Sequence, residues 1–376
     1  MVNFKNIYIM LTLVLLILIN CKNVYAQQER AFYFSGNINQ EYSNNWLRLP
    51  DSSSSKDGRL LSSIIIGYNL NNILQRWGFD LSYENRYLHY YNLNNYRRME
   101  HHFSINGSIN LDTNNILFLY NSFSIRNYDK LKLDNYIRNI VDIYDRIDLT
   151  HQLHFLIGYK NWIKNYQNSS LLESYLSHRL FTKINYYFNS TDYARVKLEY
   201  QLHRGNLYPG SSLINSTGGL TGSRYYAEIL INKLWGKNLL TEFAYKFESD
   251  QPNDNSSNQN QNNFQGDENF EDLLIEDADF DYLKNQFNIT LLVKINEKLS
   301  LFSFNVFQFK NFNSWIVNSN EDLRSDILFY NSLMMKYKFM SSLSLNLSFN
   351  LENDISNLNQ AKYNSYKITS GIHFEF

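Results

Sequence analysis

The sequence predicts an all-β fold, a closed antiparallel transmembrane β-barrel of about 16 strands, with roughly 14 or 18 also compatible. Three observations predict it. From Tyr363 to the end, Tyr366, Ile368, Ile372, Phe374 and Phe376 share one parity, while Ser365, Lys367, Thr369, His373 and Glu375 share the other. Successive side chains on a strand point to opposite faces, so this segment has one apolar and one polar face. The same alternation recurs along the chain, as in Leu343, Leu345, Leu347, Phe349 and Leu351 against Ser344, Asn346, Ser348, Asn350 and Glu352. Finally, short polar turns alternate with connections that are longer on average. Lipid outside and water inside is the simplest arrangement that satisfies all three.

The N-terminus reads as a targeting segment. Lys5 supplies positive charge, Ile7 to Ile19 is an almost unbroken apolar run, and Val24-Tyr25-Ala26 suits a signal peptidase. The run is too short to cross roughly 30 Å of hydrocarbon as a helix. Residues 1–26 are therefore expected to be a leader cleaved after Ala26, and residues 27–376 the barrel. Leu18-Ile19-Asn20-Cys21 offers a rival lipoprotein box, although Asn is a poor match for the small residue usually found before the cysteine. Cleavage at Ala26 leaves no cysteine, hence no disulfide framework and no thiolate site.

Composition fits the same picture. The chain has 30 Tyr and 26 Phe but only 14 Gly and 3 Pro, and its net charge of −1 carries no nucleic-acid signature. Mean hydropathy is negative although apolar residues are abundant, as expected where they alternate with polar ones. Predicted strands run Arg30–Tyr42, Arg59–Leu70, Leu74–Tyr90, Arg98–Leu111, Ile116–Tyr128, Tyr136–Leu149, Gln152–Tyr166 and Leu171–Phe188 in the first half. Tyr193–Tyr208, Arg224–Leu234, Leu239–Glu248, Asp279–Ile295, Leu299–Ile316, Leu323–Phe339, Leu343–Glu352 and Lys362–Phe376 follow. The alternation is least clean in Tyr136–Leu149, where charge falls on both faces, and in Leu299–Ile316, where aromatics do.

Seven short turns punctuate the strands: Asn71-Asn72, Asp112 to Asn115, Thr150-His151, Asn189 to Asp192, Trp235 to Asn238, Asn296 to Lys298, and Ser341-Ser342. Asn, Asp, Gly and Ser suit tight turns because they tolerate left-handed backbone or bond to their own main chain. The longest connection, Ser249 to Ala278, is Asn/Gln-rich and then acidic, and reads as a solvated extracellular loop without an ion-binding cage. Tyr33, Tyr42, Tyr68, Trp77, Tyr87, Tyr128, Trp162, Tyr166, Tyr208, Trp235, Trp315 and Phe376 collect at strand ends. That placement predicts girdles at the headgroup level.

On these residues the chain resembles a Gram-negative outer-membrane β-barrel of porin size, from Gln27 to Phe376 and in architecture only. The resemblance implies export by a Sec-type route to the outer membrane, and contact there with membrane lipid and lipopolysaccharide. It also implies that Tyr366, Ile368, Ile372, Phe374 and Phe376 form the signal read by the barrel-assembly machinery. Many barrels of this size are homo-oligomers. General porins fold one long loop inward near the third hairpin, whereas the connection around Asp129 to Asp134 is short here.

Candidate chemistry lies on the lumen face. Lys160 and Lys164, Arg179 and Lys183, and Arg195 and Lys197 occupy three successive strands and predict a basic strip on one wall. Acidic lumen candidates are Asp80, Glu84 and Glu100 earlier on the circumference, and Glu228, Glu242 and Glu248 later. Segregated charge in a narrow aqueous bore biases which ions enter. No nucleophile elbow, metal-ligand spacing or phosphate-binding glycine loop appears, so neither an enzyme nor a cofactor is expected. Ser177-His178 and His101-His102 are adjacent pairs whose members point to opposite faces, and His89 and His203 lie on different strands. The expectation is a passive, weakly charge-selective channel for small hydrophilic solutes. The alternatives are a non-conducting barrel that displays loops for adhesion or envelope organisation, and the exit barrel of an export system.

Overall fold

The computed structural model describes residues 32–45, 56–69, 76–130, 135–166, 175–205, 221–252, 281–317 and 322–376. Cys21, Ala26 and the rest of the leader, the Asn71-Asn72 turn, and most of the connections 205–221 and 249–278 lie outside the described residues. Sixteen strands follow in chain order. The first eight are β1 (Phe32–Ser43), β2 (Asp57–Asn69), β3 (Trp77–Tyr90), β4 (Arg98–Asn110), β5 (Asn115–Tyr128), β6 (Tyr136–Asp148), β7 (Leu153–Tyr166) and β8 (Tyr175–Tyr187). The second eight are β9 (Tyr193–Gly205), β10 (Thr221–Trp235), β11 (Leu239–Pro252), β12 (Tyr282–Lys294), β13 (Leu299–Ile316), β14 (Leu323–Met340), β15 (Leu343–Ser356) and β16 (Tyr363–Glu375). The third strand is described from Trp77, and Leu74 and Gln75 of its predicted start lie outside the described residues.

Every strand pairs antiparallel with its sequence neighbours, and β1 pairs with β16, so the sheet closes on itself. Closure is what lets a sheet cross lipid, because an open edge would leave its N–H and C=O groups without partners. At the seam Phe34 and Phe376 exchange backbone hydrogen bonds of 3.0 and 2.8 Å. Gly36 stands opposite Phe374 in the register, and a Cβ added there would lie 2.8 Å from the Ser63 carbonyl oxygen and 2.5 Å from the Phe374 ring. Glycine thus makes room for the terminal aromatic ring. Side chains lace the same seam: Asn37 meets His373 at 2.6 Å, and the Tyr366 amide donates to Asn44 at 2.6 Å.

Parity sorts the side chains as the sequence requires. Ile38, Leu119, Ile157, Leu180, Ile231, Phe287, Leu333 and Ile372 face outward and are exposed. Glu41, Arg59, Glu100, Arg126, Asp250 and Lys284 face inward and are buried among one another. The aromatic girdle needs correction. Tyr42, Tyr68, Trp77 and Trp235 are outward and exposed, as a girdle demands. Tyr33, Tyr128 and Trp162 point into the lumen instead: Tyr33 donates to Asp80, Arg98 donates to the Tyr128 hydroxyl, and Trp162 packs against Arg138 and Arg179. A strand end sets an aromatic's depth, while residue parity sets which solvent it meets.

The short turns are held by their own side chains. Asp112 accepts the Asn114 and Asn115 amides at 2.7 and 2.9 Å. Asp192 accepts the Leu234 amide at 2.8 Å, tying the β8–β9 turn to the end of β10, and that bond holds its carboxyl below the usual carboxylate range. Gly236 adopts the left-handed region, φ 65°, in the turn after β10.

Placing a charge on the two faces of β15 tests this sorting. Leu347 is outward and exposed, while Ser348 is inward. Leu347→Lys should destabilise the folded barrel by about 2 kcal/mol or more, against little change for Ser348→Lys. Urea titration read by heat-modifiable gel mobility would measure both, and equal losses would contradict the assigned faces.

Candidate functional site

The lumen wall of β6 to β9 carries the basic residues in an ordered series. In the register Lys164 faces Arg138 at the long-loop end of the wall, and Lys160 faces both Asp142 and Arg179 below it. Lys183 faces Lys197 further down, and Arg195 faces Asn185 towards the short-turn rim. The predicted strip is therefore a ladder that descends the wall, rather than a ring at one depth. On β7 to β9 these six cations share the wall with a single carboxylate, Glu199, among the described residues. Glu199 bridges Arg179 at 3.2 Å and Lys197 at 2.7 Å.

Aromatic rings line the ladder. Lys164 lies 4.7 Å from the Tyr136 ring and 4.8 Å from that of Tyr166. Trp162 is approached by Arg179 at 5.2 Å, and by Arg138 and Lys160 at 5.8 Å each. Lys183 sits 4.9 Å from Phe181, and Lys197 sits 4.7 Å from Tyr226. Arg195 donates to Asn185 at 3.0 Å. A cation over a ring gains about 0.5–1 kcal/mol and is held along the wall without being neutralised. The ladder thus stays positively charged towards the bore.

The acidic candidates do not form a matching strip. Glu84 takes Arg86 in a two-pronged pair at 2.7 and 2.9 Å. Glu100 is enclosed by Arg98 at 2.8 Å and Arg126 at 2.9 Å. Glu228 accepts the Tyr226 hydroxyl at 2.6 Å and stands 3.7 Å from Lys246. Glu248 binds Lys284 at 2.7 Å and lies 3.4 Å from Arg224, and it also accepts the Tyr282 hydroxyl. Asp80 accepts Tyr33 and Asn106 at 3.4 Å each. Glu242 faces Asn232 and Thr290 across the ladder. Most of the carboxylates are thus spent on neighbouring cations, and among the described strands cations are in excess on β7 to β9 and again on β12 to β14, where Lys284, Lys294, Lys310, Arg324, Lys336 and Lys338 face inward beside Asp326.

Three inward tyrosines were not legible as site residues. Tyr90, Tyr136 and Tyr282 are fully buried near the long-loop rim, each against one or more cations. Arg59 donates to the Tyr90 hydroxyl at 2.7 Å while binding Glu41 at 2.6 Å. The available signal was an inward-parity aromatic beside an arginine on the next strand. These groups form a stiff collar of rings and ion pairs around the upper wall.

The histidines fall as strand parity requires. Ser177 is inward and His178 outward; His102 is inward and His101 outward. His89 is outward and His203 inward, so they cannot meet across the lumen. His101 and His178 occupy matching outward settings on two hairpins, each receiving a Tyr hydroxyl (Tyr83 at 2.9 Å, Tyr159 at 2.7 Å) and an Asn (Asn85 at 3.2 Å, Asn161 at 3.3 Å). Inside, His102 links Ser124 at 2.8 Å to Glu100 at 3.4 Å. This resembles a nucleophile chain in outline, but Ser124 is only 1% exposed and Glu100 is held by two arginines. The arrangement serves as a strut. Among the described residues no group of three His, Cys, Asp or Glu could hold a metal ion.

Glu100 gives the wall a direct test. Glu100→Ala leaves Arg98 and Arg126 facing each other in a buried site and should cost about 3–5 kcal/mol of barrel stability. The same urea titration would show it, and a loss below about 1 kcal/mol would mean that water screens the pair.

No family description matches the chain, and no curated protein matches it in sequence. Solved structures do. CdiB from Acinetobacter baumannii superposes with a TM-score of 0.51 at 10% identity, over 93% of this chain and 61% of that one. A bacterial polysaccharide outer membrane secretin gives 0.47 at 8% identity over 91% and 98%, and OccAB4 of Acinetobacter baumannii gives 0.47 at 9% over 93% and 99%. The chain spans 61% of CdiB's length, so that likeness concerns the barrel. An apolar outer wall, a charged interior and closure at β1 and β16 agree with it: the chain has the fold of a Gram-negative outer-membrane β-barrel.

Proposed function

We propose that this barrel is a passive channel for small hydrophilic solutes with a weak preference for anions. A ring of sixteen strands is large enough to enclose a bore that its side chains do not fill, in contrast to barrels of about 8 strands. The observation that carries the reading is the descending series Lys164, Arg179, Lys160, Lys183 with Lys197, and Arg195. A solute anion passing down this wall exchanges one cation for the next within a few ångströms, so no single site holds it tightly. Conduction requires that balance, in which binding is favourable enough to admit the ion and weak enough to release it. Glu199 moderates the field, which keeps the preference weak.

Two parts of the reading concern delivery. Residues 1–26 act as a Sec leader removed after Ala26, and Tyr366, Ile368, Ile372, Phe374 and Phe376 present the signal taken up by the barrel-assembly machinery. Support for the second comes from their shared outward parity and from the Phe374 ring seated over Gly36 at the closing seam. Lipid and lipopolysaccharide then surround the wall.

Single-channel recording in planar bilayers tests the central claim. Wild-type protein should give stable steps, and in a potassium chloride gradient its reversal potential should report an anion-to-cation permeability ratio above unity. Reversing Lys160, Lys164, Arg179, Lys183, Arg195 and Lys197 to Glu should bring the ratio below unity. An unchanged ratio in a conducting variant removes the ladder from the account. Silence of the wild type over many insertions would favour a barrel that only displays loops.

A further inference from the structure

Among the described strand side chains, two charges break the inward rule: Asp145 on β6 and Lys233 on β10. Asp145 lies between Leu117 and Ile157 in the register, with Ile143 and Ile147 beside it on the same face. Its partners across both ladders are aliphatic, Ile157 is 51% exposed to the surroundings of the wall, and Oδ1 of Asp145 has no hydrogen-bond donor among the described residues. A carboxylate oxygen left without a donor on its own wall is unfavourable and must be satisfied from outside that wall. Lys233 is exposed on the outward face, next to Thr241 in the register and 4.1 Å from the ring of Trp235. Both residues stand close above the short-turn ends of their strands, Asp148 and Trp235. They therefore sit at nearly the same depth.

We propose that the outward face of β5–β6 is an interface between copies of this chain, in which Asp145 of one copy meets Lys233 of the next. Charge complementarity selects the occupant: each copy carries one unpaired outward carboxylate and one outward ammonium at matching depth. The same face carries a further polar contact, because outward Asn121 donates to Asn139 at 2.9 Å and leaves amide edges available above Asp145. Polar side chains of this kind hold subunits together where lipid supplies no hydrophobic drive. Asp145 on β6 and Lys233 on β10 stand four strands apart around a curved wall, so one contact face does not hold both and the contact is head-to-tail. It closes into a ring of more than two copies rather than a two-fold dimer. The inference does not depend on conduction.

Native mass spectrometry of protein extracted from outer membranes in a mild detergent would test it, with heat-modifiable mobility reporting that each variant has folded. Wild type should appear as a closed oligomer. Asp145→Leu removes the charge at no cost to a lipid-facing wall, yet should lower the oligomer-to-monomer ratio by at least about tenfold. Asp145→Lys alone should do the same, and Asp145→Lys with Lys233→Glu should restore the oligomer. A monomeric wild type, or an Asp145→Leu variant as oligomeric as wild type, overturns the proposal. So does a charge-swapped double variant that folds but stays monomeric while wild type assembles.

Discussion

Everything in this molecule depends on the pairing of β1 with β16. A sheet in hydrocarbon cannot leave backbone groups at an edge, and closure satisfies all of them at once. The sequence equips both partners for it. β16 ends in aromatics of one parity, and β1 offers Gly36 where the Phe374 ring must lie. Asn37, Glu41, Ser43 and Asn44 then reach His373, Thr369, Ser365 and Tyr366 across the seam. β16 completes the wall, so its apolar face and its register are fixed together. A slip by one residue would send Phe374 and Ile372 into the lumen and Lys367 into lipid.

Closure also creates the two solvents that shape the rest. Outside, a polar side chain must find a partner on the wall itself, as His101 does in Tyr83 and Asn85 and His178 does in Tyr159 and Asn161. Inside, charges are permitted but crowded. Carboxylates on most walls are consumed by arginine and lysine within hydrogen-bonding distance, as at Glu41–Arg59 and Glu100–Arg98–Arg126. On β7 to β9 Glu199 bridges Arg179 and Lys197, while rings pack against Lys160, Lys164, Lys183 and Arg195. The excess charge of that wall follows from a shortage of acidic residues there.

Parity made the fold legible, because a strand's period of two survives every other uncertainty. Sixteen strands, their approximate ends, and the inward placement of Lys160, Arg179, Lys183 and Lys197 all follow from counting odd and even positions. Depth did not follow, because it depends on register between strands and on tilt. The same six cations could have formed a ring or a ladder, and only the pairing of Lys183 with Lys197 and of Lys160 with Arg179 decides for the ladder. Aromatics were read by depth alone, which placed Trp162, Tyr128 and Tyr33 at the lipid interface when their parity sends them inward. Tyr90, Tyr136 and Tyr282, whose parity also sends them inward, were not singled out at all.

Asp145 shows how such an error can be turned round. In the sequence it blurred the alternation of its strand, since charge fell on both faces. In the folded wall Arg138, Asp142, Arg146 and Asp148 all point inward, which leaves Asp145 as that strand's lone outward charge. The lumen charges bear a modest cost, because water and close counter-ions lie on the same side of the wall. Asp145 has aliphatic neighbours and gains no counter-ion from its own wall. A single outward carboxylate is therefore a stronger statement about surroundings than the many inward ones. Its partner must come from outside its own wall, and the molecule carries a cation close above the same rim on β10.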